Sequence, residues 1–441
     1  MQSIPTLAYT CCNMPAAQRL YFDKPDLFDF RARVTDIREF ARKDGVQVWQ
    51  IALDRTAFFP AGGGQPHDRG VLRAKARSGA ELTVTVEDVQ EDEAGEVWHS
   101  TTKPLLAGTD VEATVDTARR LDHAQQHSGQ HLLSAVLAND FGLRTLSFHL
   151  GQHDATIDLD VDGQAAQAAV LEQLSEVELR VNRHVRSNLP VQLRWVGRLD
   201  AEKLLADGAL RKLPPIVGDI RLVEVPGLDL NACGGTHVQA LGEIGSVLLR
   251  GTERVKKALR LHFVCGPRAV QAARADWAEL GATATSLSVG THGVRSAVEK
   301  LRAEVRSLGK ERTRLREELA GSHAVQLAVE EKIQNGLRLV VRTFQDRDGE
   351  YVKLLAKKLL EAVPHTAAVL ASSAQDPATL VVASNLAANA DRPTGCQAVL
   401  REVLAPWKLP GGGTAEMAQA QVPKDLLEII VQTLVSRMTA L

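Results

Sequence analysis

Between about Phe28 and Val115 the chain alternates apolar and polar residues over short runs, the period of two that marks half-buried strands. Phe30–Ile37 and Val46–Leu53 alternate in part, Leu82–Val86 does so cleanly, and Glu96–His99 and Val111–Val115 add two shorter runs. Turns rich in glycine and aspartate separate them, so this part predicts a small β-barrel. The period then changes. Leu132, Leu133, Val136 and Leu137 form one apolar face at helical spacing, and Ala166, Val170, Leu174, Val177 and Val181 form another. Leu146–Asp160 reads as strand around a turn, and Val191–Val196, Ile220–Val225, Val247–Leu249 and Leu259–Val264 read as strands. Together they predict an α+β layer.

From Val294 the apolar positions follow an alternating four-three spacing through Val298, Leu301, Val305, Leu308, Leu315 and Leu319, with Arg312 at the one polar position. That is a heptad seam of about three and a half repeats. Gly321-Ser322 is a place for the chain to reverse, returning Ala324–Ile333 as the second arm of a hairpin; pairing between two chains is the competing arrangement. Beyond it, strands (Leu337–Thr343, Ala367–Leu370, Leu380–Ala383) alternate with helices (Tyr351–Ala362, Gln397–Leu404, Asp425–Met438). This predicts a compact α/β domain, with Gly411, Gly412 and Gly413 opening a glycine loop. The expected fold is therefore α+β and multidomain. Its parts are an N-terminal extension (1–21), a β-barrel (22–118), an α+β domain (119–266), a helical coiled-coil linker (267–335) and a C-terminal α/β domain (336–441).

Composition changes this picture little. With 441 residues, 24% charged and a formal net charge of −2, the chain is not a globally basic nucleic-acid binder, although a local basic face remains open. No apolar run approaches the roughly 20 residues needed to span a bilayer, and Met1–Leu20 lacks the pattern of a secretory signal. Five cysteines in so long a chain fit a reducing compartment, so a cytoplasmic location is expected.

Candidate chemistry concentrates at two places. His127 and His131 stand four residues apart on the predicted helix, so both imidazoles face one side. Cys233 and His237 repeat that spacing a hundred residues on, and the four side chains suit one tetrahedral zinc ion. Ser128 occupies the place where a His-Glu-x-x-His protease carries its general base, which removes that reading. Four protein ligands leave both a structural and a catalytic zinc open. His123, His149 and His153 are the alternative ligands. In the barrel region, Thr56 to Gly70 contains Gly62, Gly63, Gly64 and Gln65; three glycines permit positive φ, and a ligand loop and a plain hairpin both fit. Arg250, Arg254, Lys256, Lys257 and Arg260 form a compact basic segment that suits backbone phosphates or a solvated turn.

With these residues in view, the chain resembles the freestanding alanyl-tRNA editing proteins of the AlaX type, in their long form. These are similar to the editing and C-terminal parts of alanyl-tRNA synthetase. The resemblance rests on Thr56-Ala-Phe-Phe-Pro-Ala-Gly-Gly-Gly-Gln-Pro, Asp116-Thr-Ala-Arg-Arg, Gln126-His-Ser-Gly-Gln-His-Leu-Leu and Cys233-Gly-Gly-Thr-His237. Gly411-Gly-Gly-Thr-Ala-Glu-Met-Ala-Gln-Ala resembles the glycine motif of a DHHA1-type domain. The resemblance implies hydrolysis of mischarged tRNA, chiefly Ser-tRNA(Ala) and also Gly-tRNA(Ala), at the terminal adenosine. It implies one Zn2+ on His127, His131, Cys233 and His237, with Thr56 meeting the serine side chain and Gln65 and the glycines lining the pocket. It also implies tRNA as partner and a homodimer through the coiled coil or the C-terminal domain. Phe59 departs from the family, where a tyrosine is usual. An editor of another mischarged tRNA such as Ser-tRNA(Thr), and a non-catalytic tRNA-binding protein stapled by zinc, are the competing functions.

Overall fold

A computed structural model describes residues 17–439 except 44, 76–78, 216–217, 332, 334–336 and 387–394. The chain divides into two compact units, Met1–Leu280 and Gly281–Leu441.

The first unit begins with β1 (Gln18–Arg19), β2 (Asp29–Lys43), β3 (Val46–Leu53), β4 (Arg55–Thr56), β5 (Gly70–Lys75), β6 (Glu81–Glu91), β7 (Val97–Thr101) and β8 (Asp110–Val115). Six of these close into a barrel in the order β2-β3-β7-β6-β5-β8. Alternation sends Phe30, Ala32, Val34, Val84, Val86, Val111, Ala113 and Val115 to its interior. Closure leaves those strands without a free edge. β1 pairs in parallel with β4, and Tyr21 just beyond it is buried. The last residues of the expected 1–21 extension thus belong to the folded unit, while 1–16 lie outside the described residues.

Asp116 then caps α1 (Thr117–Phe141), its carboxylate accepting from Arg119 N at 3.1 Å, and Gly142 ends the helix at a φ of 66°. The α+β layer follows as β9 (Thr145–Leu150), β10 (Ala155–Leu159), α2 (Gln164–Ser187), β11 (Gln192–Val196), α3 (Arg198–Ala206), β12 (Ile220–Val225), β13 (Asp229–Ala232), β14 (Val247–Val255) and β15 (Ala258–Cys265). Its sheets run β14-β15-β10-β9 and β11-β12-β13. Leu132, Leu133, Val136 and Leu137 of α1 pack with Val177 and Val181 of α2 and with Ile157 and Phe263 of the larger sheet. The cysteine motif follows β13, a strand whose Asp-Leu-Asn-Ala sequence is too short and polar to announce itself. One expectation changes here. The basic segment Arg250–Arg260 is a hairpin formed by β14 and β15, not a bare turn.

The boundary between the units falls inside α4 (Pro267–Ser286). The heptad segment is a single helix, α5 (Val294–Glu330), which continues through Gly321 and Ser322. The expected reversal there does not occur. Two small polar residues weaken a helix but do not end one when Ala320, Ala324 and Leu327 are packed on either side. The rest is β16 (Arg338–Phe344), α6 (Gly349–Ala362), β17 (Thr366–Ser372), β18 (Ala378–Ser384), α7 (Cys396–Leu404), β19 (Gly411–Gly413), β20 (Met417–Val422) and α8 (Lys424–Thr439). The sheet order is β16-β17-β18-β20-β19, with only β16 and β17 parallel. α5 and α6 cover one face, α7 and α8 the other. The glycine run expected as a loop is the edge strand β19.

Candidate metal centre

α1 stacks His127 and His131 with ring centroids 5.2 Å apart, and His237 lies 4.4 Å and 4.7 Å from them. Cys233 Sγ is 3.5 Å from His127 Nε2 and 3.3 Å from His237 Nε2. One ligand atom from each of the four lies within 4.8 Å of the others. Thiolate and imidazole ligands of a tetrahedral zinc stand about 3.3–3.6 Å apart, so the donors facing Cys233 are already at ligand spacing.

Each imidazole is held by its other nitrogen. His127 Nδ1 is 2.9 Å from Gln65 Oε1, and His237 Nδ1 is 3.0 Å from Ser128 Oγ. His131 Nδ1 faces Asp229 Oδ2 at 3.6 Å and Asn231 Nδ2 at 3.2 Å. This leaves the Nε2 atoms for an ion and fixes the ring orientations. Burial by itself would raise the Cys233 thiol, but His127 and His237 outweigh it and hold the group well below the ordinary thiol range. For His131, burial opposes charge, yet the bonds to Asp229 and Cys233 pull it above the usual imidazole value. A divalent cation binds the Cys233 thiolate as it stands and would displace the proton held on His131.

Gln65 ties the barrel to this centre. Its Oε1 also accepts from Thr236 N at 3.1 Å, and its Nε2 donates to Thr236 Oγ1 at 2.8 Å. Gln65 thus bridges His127 and Thr236 through three hydrogen bonds. Gly62 and Gln65 exchange backbone bonds across Gly63 (φ 60°) and Gly64 (φ 83°), a turn that only glycines take comfortably. Gly64 O accepts from Leu150 N, and Phe148 stacks on His127 with centroids 5.4 Å apart. Gly62, Gly63 and Gly64 are exposed beside the centre.

Thr56 lies on β4, fully buried beside the barrel strand β7 that carries His99. Its Oγ1 is 2.9 Å from His99 Nε2 and accepts from Phe58 N at 3.0 Å. His99 Nδ1 is 2.9 Å from the Ile51 carbonyl, which can only accept, so Nδ1 carries the proton. Burial lowers His99 to about 4, which keeps the ring neutral and makes Nε2 the acceptor of the Thr56 proton. Among the described residues, no hydrogen bond joins Thr56 to the four ligands. Phe59 is buried edge-on against Tyr21, with centroids 5.4 Å apart.

The predicted basic residues divide. Arg250 is paired with Asp276, and Arg260 with Asp158 and Glu253, whereas Arg254, Lys256 and Lys257 are exposed around the hairpin tip. His149 and His153 are exposed and His123 is buried; none joins the ligand cluster. Two supporting residues received no role from the sequence, although Arg120 lies in the Asp116-Thr-Ala-Arg-Arg motif. Arg221 is buried and donates Nη1 to the carbonyls of Cys233 and Gly235 at 2.8 Å and 2.9 Å. Arg120 forms a buried pair with Asp68, donates Nη1 to the Pro25 carbonyl, and so fastens α1 to the glycine loop. Their partners lie 12 to 95 residues away, which local spacing cannot reveal.

Comparison with known proteins adds the family. The domain described as "Threonyl and Alanyl tRNA synthetase second additional domain" matches residues 220–261, the segment that carries Cys233 and His237. The alanyl-tRNA editing protein Aarsd1 of Rattus norvegicus is 33% identical over 321 residues, covering 72% of this chain and 73% of the relative. This chain belongs to the alanyl-tRNA editing protein family. Another member, Aarsd1 of Bos taurus, is 37% identical over 282 residues, 63% of this chain and 60% of its own. The alanine--tRNA ligase of Natronomonas pharaonis is 32% identical over 374 residues, 84% of this chain and 38% of the ligase. The editing family and that ligase thus share sequence over most of the present chain.

Proposed function

We propose that this chain is a trans-acting editing hydrolase that deacylates mischarged tRNA, chiefly Ser-tRNA(Ala), freeing the amino acid from the terminal adenosine. The observation that carries the reading is Gln65, which bonds His127 and Thr236 together and so makes the glycine turn and the metal centre one rigid unit. A scaffold stapled by zinc has no need to fix an exposed three-glycine turn against its ligands. Zn2+ fits the one-thiolate, three-imidazole set; bound on His127, His131, Cys233 and His237, it supplies either a structural clamp or a Lewis acid.

The chain's own residues do the rest. Gly62, Gly63 and Gly64 let backbone approach the esterified adenosine closely. Alanine is smaller than serine, so size cannot exclude it, and rejection has to come from polar groups left unpaired. The Thr56 proton is committed to His99, so the free capacity of its oxygen is as acceptor, the complement of a serine hydroxyl. Asp229, held by Arg211, orients His131 rather than standing free as a base. An aminoacyl ester is reactive enough that orientation and oxyanion stabilisation account for most of the required acceleration.

Hydrolysis of Ser-tRNA(Thr) is the second reading, because the matched domain is described for threonyl and alanyl synthetases together. Purified chain should deacylate Ser-tRNA(Ala), and Gly-tRNA(Ala) more slowly, while sparing Ala-tRNA(Ala); faster action on Ser-tRNA(Thr) would favour the second reading. His131→Ala should lose both bound zinc and activity. Full deacylation by a zinc-free His131 variant would reject the catalytic role of the metal.

A further inference from the structure

The Arg250–Arg260 hairpin suits phosphates of the acceptor stem, but its tip is far from the end of an RNA that enters the metal centre. The hairpin meets α1 at Cys265, whose backbone N and O bond Gln126, the residue before His127. Its register then runs from Val247↔Cys265 out to Val255↔Ala258. At about 3.3 Å per residue the tip with Lys256 and Lys257 lies about 25 Å from that end. Phosphates next to the ester need cations much closer.

A cleft of about 1020 Å³ supplies them. Arg69, Arg119, Arg268, His123 and His153 line it, and Asp122 is its one carboxylate. Asp122 is already held by Arg268, with Nε at 2.7 Å from Oδ1 and Nη2 at 2.5 Å from Oδ2. Arg69 and Arg119 form no ion pair among the described residues. Arg119 donates Nε to the His67 carbonyl at 2.9 Å, which fixes the root of its guanidinium and leaves the far nitrogens available. Burial and then Arg69 lower Arg119, against the pull of Asp68, Asp116 and Asp122, and burial with Arg119 and Arg268 lowers His123 to about 3. His123 is 3% exposed, and its Nδ1 has no hydrogen-bond partner. The first turn of α1, capped by Asp116, lines the same cleft through Ala118 and Arg119.

The cleft also adjoins the centre. His123 is one helical turn before His127, Pro66 follows Gln65, and Gly151 follows Leu150, which donates to Gly64 O. We propose that this cleft, through Arg69 and Arg119, binds the backbone phosphates of the unpaired 3′ end of the RNA whose ester lies at the metal centre. The assignment rests on the editing reading above. An open cleft lined by guanidinium groups, without a phosphate-sized cradle, suits a strand rather than a small anion.

The test measures binding of uncharged tRNA to the metal-loaded full chain over a series of salt concentrations. Arg69→Gln should weaken binding about three- to tenfold and reduce the log–log salt slope by about 0.7 to 1, and Arg69→Lys should restore most of both. On tRNA trimmed of its unpaired 3′ end, wild type and Arg69→Gln should bind alike. An unchanged slope, or an equal loss on trimmed RNA, would overturn the cleft assignment. A melting temperature and zinc content equal to wild type establish that the variant is folded. If wild-type chain binds no tRNA at all, the editing reading is what falls.

Discussion

At the scale of the residue, the centre depends on groups that touch the ligands more than on the ligands alone. Gly235 shows this most plainly. A Cβ there would overlap the His127 ring and stand 3.0 Å from Gln65 Oε1. Gly235→Ala should therefore displace His127 and lower zinc occupancy at least tenfold, as metal analysis after dialysis against a weak chelator would show. Thr56 acts at the same scale through its partner. Thr56→Val keeps the shape, removes the acceptor and leaves His99 Nε2 buried without its donor. Selectivity for Ser-tRNA(Ala) over Ala-tRNA(Ala) should fall by on the order of tenfold or more, and an unchanged ratio would remove Thr56 from the pocket.

At the scale of the element, α1 is the spine of the first unit. It carries two ligands, packs the α+β core with Leu132, Leu133 and Leu137, and receives the barrel through Arg120. Arg120 Nε donates to Asp68 Oδ2 at 3.0 Å, and the same carboxylate oxygen accepts from Phe59 N at 2.7 Å. The pair is buried on both sides. Removing one partner strands the other, so Arg120→Met should cost about 3–5 kcal/mol in a urea titration. α5 is a different kind of element. Its seam residues Val298, Leu301, Val305, Leu308, Leu315 and Leu319 are exposed along one helix, the arrangement expected of a helix that pairs with a second copy.

At the scale of the whole molecule, the division at Leu280 separates the metal centre and its cleft from the heptad helix and the C-terminal sheet. All four ligands, Gln65 and the cleft residues lie in the first unit. A chain ending before Val294 should keep its zinc and its basal deacylation. It should sediment as a smaller species, because the coiled coil and the C-terminal domain, through which the resemblance implies a homodimer, are gone. Loss of zinc from that truncated chain would contradict the division.

The alternation of the barrel strands, the helix that presents His127 and His131, and the Cys233–His237 spacing are all properties of neighbours in sequence, set by periods of 2 and 3.6 residues. Residue order alone therefore indicated many of the strands and helices and the four ligand candidates, but not β5, α3 or β13. It misjudged the places where a local signal competes with packing. Gly321 and Ser322 remain helical because α5 is buried around them, and Gly411–Gly413 becomes a strand because β20 offers it backbone partners. Only the tertiary structure decided that Gln65 clamps His127, that Asp68 answers Arg120, and that Arg69 and Arg119 share a cleft with the start of α1. Each of those facts joins residues that chain closure brings together from far apart, and no period along the sequence encodes such a meeting.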